Sequence, residues 1–248
     1  MVSSFKSITR GNIEIIFSNR HGGCSAAPYN SLNLGSHVGD DRGDVIRNRE
    51  LLYKQISETK TVRSPGEWVF LNQTHKNNVL SIGENFSIDN EDPPEADASV
   101  TQIRNLPLVC MTADCGPLVI FSQNALGVVH ASWRTVTDEI IESTLEELKY
   151  VDPKGEFKAI LGPCIHPGNY EFDQDFLEEL SSKLGSHVKS QTEQGKPAFD
   201  LVGAINHKLT EQGVILENAD IDTYSSKNYF SYRRDGVTGR QAVIAWLK

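Results

Sequence analysis

A chain of 248 residues with 38% hydrophobic and 23% charged residues can bury a substantial core, and disorder is excluded as its ground state. The formal charge of −9 argues against a nucleic-acid partner, because phosphate contacts need clustered Lys and Arg. No apolar run has the length of a signal-peptide core or a membrane span, and the four cysteines include no Cys-x-x-Cys pair, so a cytoplasmic protein with thiols or thiolate ligands is expected.

Taken in order, residues 13–17 read as a strand that runs into Ser18-Asn19-Arg20-His21-Gly22-Gly23, a turn by composition. An Arg beside a Gly pair can present its guanidinium where backbone comes close to a ligand, although a plain surface turn has the same composition. Asp40 or Asp41 can cap a helix whose apolar positions are Val45, Ile46, Leu52 and Ile56. Residues 68–71 read as a short strand leading into Asn72-Gln73-Thr74-His75, and residues 87–94 form an acidic, solvated loop.

The centre of the chain carries the strongest pattern. PLVCMTADC, GPLVIF and LGVVHASWR, over residues 107–134, are strand-length apolar runs that break into polar residues. Beyond them, Thr137 is the expected N-cap of a helix with Ile141, Leu145 and Leu148 on one face. Residues 159–161 form a strand. Helices follow around Phe176 to Leu184, closed at Gly185, and Leu201 to Leu209, closed at Gly213. Residues 214–215 and 242–246 complete the strands, and no repeat or low-complexity linker interrupts them. The expectation is one mixed α/β domain over residues 1–248.

A lone His on a strand is ordinarily a hydrogen-bonded structural residue, and a lone Cys a small buried hydrophobe. His75, Cys115 and His130 differ from that background because each ends or follows an apolar run, so one sheet edge can collect all three. Two imidazoles and a thiolate suit Zn²⁺, with a fourth position left for water or substrate. None of the three lies in a local metal motif such as His-Glu-x-x-His.

Several blocks, in order, carry a resemblance: Arg20-His21-Gly22-Gly23-Cys24-Ser25, Ser31-Leu32-Asn33-Leu34-Gly35, Asn72-Gln73-Thr74-His75, Thr112-Ala113-Asp114-Cys115-Gly116-Pro117, His130-Ala131-Ser132-Trp133-Arg134, and the run from Ser231 to Arg240. Together they resemble the YfiH/laccase-domain family across nearly the whole chain. The resemblance implies a single domain similar to cytotoxic-necrotizing-factor-type folds, with mixed sheets flanked by helices, and zinc held by His75, Cys115 and His130. It implies a purine nucleoside phosphorylase acting on adenosine, inosine and methylthioadenosine, with adenosine deaminase activity beside it. Nucleoside and phosphate would be the small-molecule partners, Arg20 or Arg233 the phosphate cation, and Asp114 either a proton donor or an orienting partner. The family usually shows His-Ala-Gly-Trp-Arg-Gly, where this chain has Ser132 and Thr135 in place of both glycines. Extra side chains there are expected to restrict the backbone beside His130 and narrow the substrate range.

Other chemistries draw on the same residues. Cys115 as nucleophile with His130 or His75 as base would give a cysteine hydrolase, which the family's link to amide hydrolysis in peptidoglycan-precursor editing also accommodates. A His/Cys set with Met111 nearby in sequence could take Cu²⁺, as the family's older polyphenol oxidase label implies. However, the seven histidines include no His-x-His pair of the kind that a multicopper cluster draws on. A zinc-stabilised binding protein without turnover is the alternative outside enzymology.

Overall fold

The apolar runs become strands that are covered on both faces, which is why they read as continuous hydrophobic segments instead of alternating ones. The structure is a computed structural model and describes residues 3–248. In chain order the elements are β1 (Phe5–Arg10), β2 (Ile13–Ser18), α1 (Arg42–Ser57), β3 (Val79–Ile82), β4 (Ala98–Thr101), β5 (Leu108–Thr112), β6 (Gly116–Phe121), β7 (Leu126–Ala131), α2 (Trp133–Thr137), α3 (Ile140–Val151) and β8 (Lys158–Leu161). They continue with α4 (Gln174–Leu184), β9 (Lys189–Gln191), β10 (Pro197–Phe199), α5 (Leu201–Glu211), β11 (Ile215–Asn218), α6 (Tyr232–Asp235) and β12 (Gln241–Leu247).

Two large sheets organise the molecule. One is antiparallel with order β1-β2-β12-β5, and the other is mixed with order β11-β8-β6-β7-β4-β3, in which β3–β4 and β8–β11 are the parallel pairs. A short β9–β10 ribbon stands apart. Ile13, Ile15, Phe17, Leu108, Val243 and Ala245 of the first sheet share one buried cluster with Val119, Val128 and Ile160 of the second, so the sheets pack face to face. The outer face of the six-stranded sheet is covered by Ile141, Leu145, Leu177, Leu180, Ile205 and Leu209 from α3, α4 and α5. The outer face of the four-stranded sheet is covered by Leu52 and Ile56 of α1 together with Trp68 and Phe70. The result is four layers, with mixed sheets flanked by helices as the sequence predicts, and each fully buried Leu or Ile contributes about 1.5–3 kcal/mol.

Asp41 caps α1 by accepting from the Asp44 amide at 3.0 Å. Thr137, by contrast, is no N-cap. A capping box between Ser132 and Thr135 starts a short helix earlier, and the Thr137 hydroxyl donates to the Trp133 carbonyl within it. Residues 68–71 form no strand either: Val69 makes a single bridge to Leu108, while Trp68 and Phe70 pack beneath α1 as buried anchors. Among the described residues, no helix is long and apolar enough to cross a membrane.

The edge of the four-stranded sheet carries one charge cluster. Glu14 is 6% exposed, pairs with Lys60, and has Lys248 Nζ at 3.1 Å. Burial pushes its carboxyl up, but the bonds from Lys60, Thr9 and Lys248 outweigh burial and hold it below the ordinary carboxylate value. A lowered folded-state pKa gives stability that is present above the unfolded value and lost as pH falls below it. Urea midpoints should therefore decline on acidification below about pH 4.5, the ordinary Glu range. The decline should be shallower in Glu14→Gln, and an unchanged slope in that variant would remove Glu14 from the acid response.

Candidate metal centre

Three strand ends meet at one rim. His130 is the penultimate residue of β7 and pairs with Pro117 of β6, so Cys115, two residues before Pro117, comes up beside it. His75 lies in the loop ahead of β3. That loop is fastened to β5 by Gln73, whose side-chain oxygen accepts from the Met111 amide and whose nitrogen donates to the Met111 carbonyl, both at 2.8 Å. The ligand atoms of His75, Cys115 and His130 all fall within 4.8 Å of one another. The imidazole centroids are 4.7 Å apart, with ring planes at 75°.

One carboxylate positions both histidines. Asp97 Oδ1 is 2.7 Å from His130 Nδ1, while Asp97 Oδ2 accepts from the backbone amides of Thr74 at 3.1 Å and Lys76 at 2.8 Å. The Asp97 carbonyl also accepts from the His130 amide at 2.7 Å. With Nδ1 engaged, His130 keeps Nε2 for the centre, the usual arrangement behind a metal-binding imidazole. Burial raises the Asp97 carboxyl, but the bonds from His130 and the loop amides bring it below the ordinary value, so it remains a carboxylate. His75 itself has φ of 59° and Asp114 has φ of 100°, a region that non-glycine side chains seldom adopt. The amide bonds on either side of His75 hold it there.

The electrostatics of the centre belong to a pair. Burial alone would raise the Cys115 thiol, but the adjacent His130 and His75 imidazoles outweigh it and lower the thiol. Burial would likewise depress His130, which Cys115 and Asp97 instead raise. Both shifts arise from the same close contact, in which a thiolate and an imidazolium would stabilise each other.

The donor set fits zinc. Zinc–nitrogen bonds near 2.0–2.1 Å and a zinc–sulfur bond near 2.3 Å place tetrahedral donors roughly 3.5 Å apart, and the three donor atoms, all within 4.8 Å of one another, are close enough for one ion to draw them in. Among the described residues this is the one group of three His, Cys, Asp or Glu side chains close enough to hold a metal ion.

The other candidate residues occupy different surroundings. Asp114 is 7% exposed, and its two oxygens accept from the Thr223 hydroxyl at 2.7 Å and the Arg233 amide at 2.6 Å, tying the Cys115 turn to α6. Arg20 lies two strands away from the Cys115 edge. Its Nη1 is 3.8 Å from Asp235, its Nε donates to the Asn30 carbonyl at 2.9 Å, and its guanidinium lies 4.8 Å from the Phe230 ring centre. Ser132 and Thr135 are 2% and 0% exposed and turn inward. The Ser132 amide donates to Thr135 Oγ1 at 2.8 Å, and that hydroxyl donates to the His130 carbonyl at 2.8 Å. Where glycines would leave the backbone loose, these side chains brace the segment that carries His130.

The sequence profile of a family described as multi-copper polyphenol oxidoreductase laccase matches residues 14–248, nearly the whole chain. The chain belongs to this YfiH/laccase-domain family. A Haemophilus influenzae relative named purine nucleoside phosphorylase is 34% identical, with 96% of this chain and 95% of that protein aligned. A Corynebacterium glutamicum protein of the same name is 32% identical over 94% and 93% of the two chains. The crystal structure of a Neisseria meningitidis protein of the DUF152 family superposes with a TM-score of 0.85 at 31% identity, covering 99% of this chain and all of that one. The family thus joins two labels, an oxidase in its description and a phosphorylase in its members' names.

Proposed function

We propose that this protein is a zinc-dependent purine nucleoside phosphorylase that acts on adenosine, inosine and methylthioadenosine and also deaminates adenosine. The observation that carries the reading is the convergence of His75, Cys115 and His130 on one partly open rim, in a chain whose full-length relatives are named purine nucleoside phosphorylase. When bound, zinc supplies Lewis acidity at the position that the three side chains leave open.

The residues of the chain then have separable tasks. His75, Cys115 and His130 hold the ion, and Asp97 fixes the tautomer and orientation of His130 while anchoring the His75 loop. Asp114 keeps α6 against the rim through the Arg233 amide. In phosphorolysis an oxygen of hydrogen phosphate forms a bond to C1′ of the ribose as the bond from C1′ to the purine nitrogen breaks, and the proton that the phosphate gives up goes to the departing purine. In deamination water adds at C6 of the purine and the amino group departs as ammonia.

Chromatography of zinc-loaded protein with adenosine tests the proposal. With phosphate present, adenine and ribose 1-phosphate are expected; without it, inosine and ammonia. Adenosine left unchanged in both samples would end the nucleoside reading.

One observation favours a second reading. Asp97, His130 and Cys115 form the carboxylate–imidazole–thiolate order of a cysteine hydrolase, which would suit an amidase acting without metal. Zinc content separates the two, since a thiolate engaged by zinc is a poor free nucleophile. Amide hydrolysis by metal-free protein that stops when zinc is added would favour the amidase.

A further inference from the structure

The phosphorylase reading needs a cation close to the centre, and the two arginines first considered for it are engaged elsewhere. Arg20 donates to the Asn30 carbonyl at 2.9 Å and shares Asp235 with Arg234. Arg233 donates to the Glu171 carbonyl at 2.7 Å and lies over Tyr170, beside an outer cavity that Glu171 and Asp173 also line. Carboxylates at the mouth of a site disfavour a phosphate there.

Arg240 has a different setting. It immediately precedes β12, whose Gln241 pairs with Thr112, the last residue of β5, so Arg240 stands opposite the Ala113-Asp114-Cys115 turn. That is one strand nearer to Cys115 than Arg20, which reaches the same rim from β2 on the far side of β12. The backbone of Arg240 is pinned, since its amide donates to Asn33 Oδ1 at 2.8 Å. Its Nη1 donates to the Thr238 and Gly239 carbonyls at 2.9 and 3.0 Å, which fixes one edge of the guanidinium and leaves Nε and Nη2 without a protein acceptor among the described residues. No carboxylate of the described residues lies within 4.0 Å of it. Burial lowers its pKa, and Cys115, Asp114, Tyr232 and Tyr29 act against burial. A half-buried guanidinium without a counterion is costly to keep unless an anion joins it in function.

His37 completes the arrangement. Gly35 allows the approach: a Cβ at that position would lie 2.9 Å from Arg240 Cγ and 3.4 Å from His37 Cε1, so both side chains flank the same bare backbone. His37 is exposed at the surface, yet desolvation by the surrounding protein and the charges of Arg240, His130, Arg49 and His75 keep its imidazole below its ordinary pKa, so it is a neutral hydrogen-bond donor near neutral pH.

We infer that Arg240, with His37 beside it, forms the anion subsite that holds phosphate against the His75–Cys115–His130 centre. The inference rests on the phosphorylase reading for the identity of the anion, and its geometry is independent of that reading. A guanidinium edge offers two parallel donors to a phosphate, which both binds the anion and aims one remaining oxygen.

Calorimetric titration of the zinc-loaded protein with inorganic phosphate, without any nucleoside, tests it. Arg240→Gln retains a side chain that can bond the Thr238 and Gly239 carbonyls but loses the charge and the fork. It should weaken phosphate binding by about 10- to 100-fold, as expected for a charged hydrogen bond. Zinc stoichiometry and melting temperature serve as controls on the fold, and His37→Gln, on an exposed residue, should weaken phosphate by a smaller factor. In turnover, both variants should raise KM for phosphate and leave KM for adenosine near the parent value. Unchanged phosphate affinity in Arg240→Gln, or no phosphate binding by the parent protein, would overturn the subsite. Phosphate binding that depends on Arg240 in a protein that consumes no nucleoside would keep the subsite and discard the phosphorylase reading.

Discussion

Cys115→Ala should purify with far less than one zinc per chain and lose turnover in step with the metal. It removes one of three protein ligands and leaves two imidazoles, of which only His130 is held from behind by a carboxylate. Asp97→Asn is the informative companion, because it keeps every ligand and removes only the charge that orients them. Loss of such a supporting carboxylate typically weakens a metal site by about 10- to 100-fold. The cost here should lie at the upper end, since Asp97 serves the His75 loop as well as His130. Elemental analysis after dialysis against a graded series of chelators measures both variants. Full zinc occupancy in Cys115→Ala would strike Cys115 from the ligand set, and parent-like retention in Asp97→Asn would reduce Asp97 to a structural residue.

The second large effect is expected far from any ligand. In Gly23→Ala the new Cβ would sit 2.2 Å from the Ser31 carbonyl oxygen, 2.5 Å from Leu32 Cα and 2.5 Å from Asn48 Oδ1. Two of those three atoms are backbone and cannot rotate away. Asn48 is also committed, donating to Ser25 Oγ and the Asn33 carbonyl at 2.8 and 2.9 Å while its oxygen accepts from the Cys24 amide at 2.8 Å. Overpacking against a fixed backbone costs about 3 kcal/mol, the upper end of the usual range. For a domain of this size that lowers Tm by roughly 6–12 °C. Gly66→Ala, where a Cβ would meet nothing within 4 Å, is the matched control and should melt near the parent. A Gly23→Ala protein as stable as the control would show that the turn is free to move. The Gly22-Gly23 turn is therefore a packing requirement, a third possibility beside the surface turn and the ligand approach that its composition suggests.

Of the candidate site, His75, Cys115 and His130 are the residues that sequence exposes most directly. Each of the three residues terminates or adjoins an apolar run; the β6–β7 pairing brings Cys115 beside His130, while Gln73 fastens the His75 loop to β5 of the other sheet. Asp97 escapes that logic because its partners, His130 and the amides of residues 74 and 76, are distant along the chain. An Asp immediately ahead of a buried strand is the only local hint. Arg240 escapes it for the opposite reason: its block contains three arginines, and nothing in the spacing says which one stands opposite the Ala113-Asp114-Cys115 turn. In the fold, β1 is invisible to an apolar-run search because only Ile8 among its residues is buried, as befits the outermost strand of its sheet. The helix that carries Ile141, Leu145 and Leu148 starts at Ile140 and not after Thr137, because the Ser132–Thr135 capping box places residues 133–137 in a short helix of their own and Glu139, with φ of 66°, separates the two.

The position of β12 has a consequence for how the protein is made. β12 lies between β2 and β5, so the four-stranded sheet has no continuous ladder until residues 241–247 are available. During vectorial synthesis β2 waits with one bare edge and β5 with another for more than half the chain, held apart from any partner that could close the ladder. Closure joins the first strands to the last and is a contact of very long sequence separation, the kind that slows folding and prolongs exposure of sticky edges. The same late strand brings Arg240 to the rim, so a nascent chain that already holds its three metal ligands would gain its anion-binding arginine only in the last step of assembly.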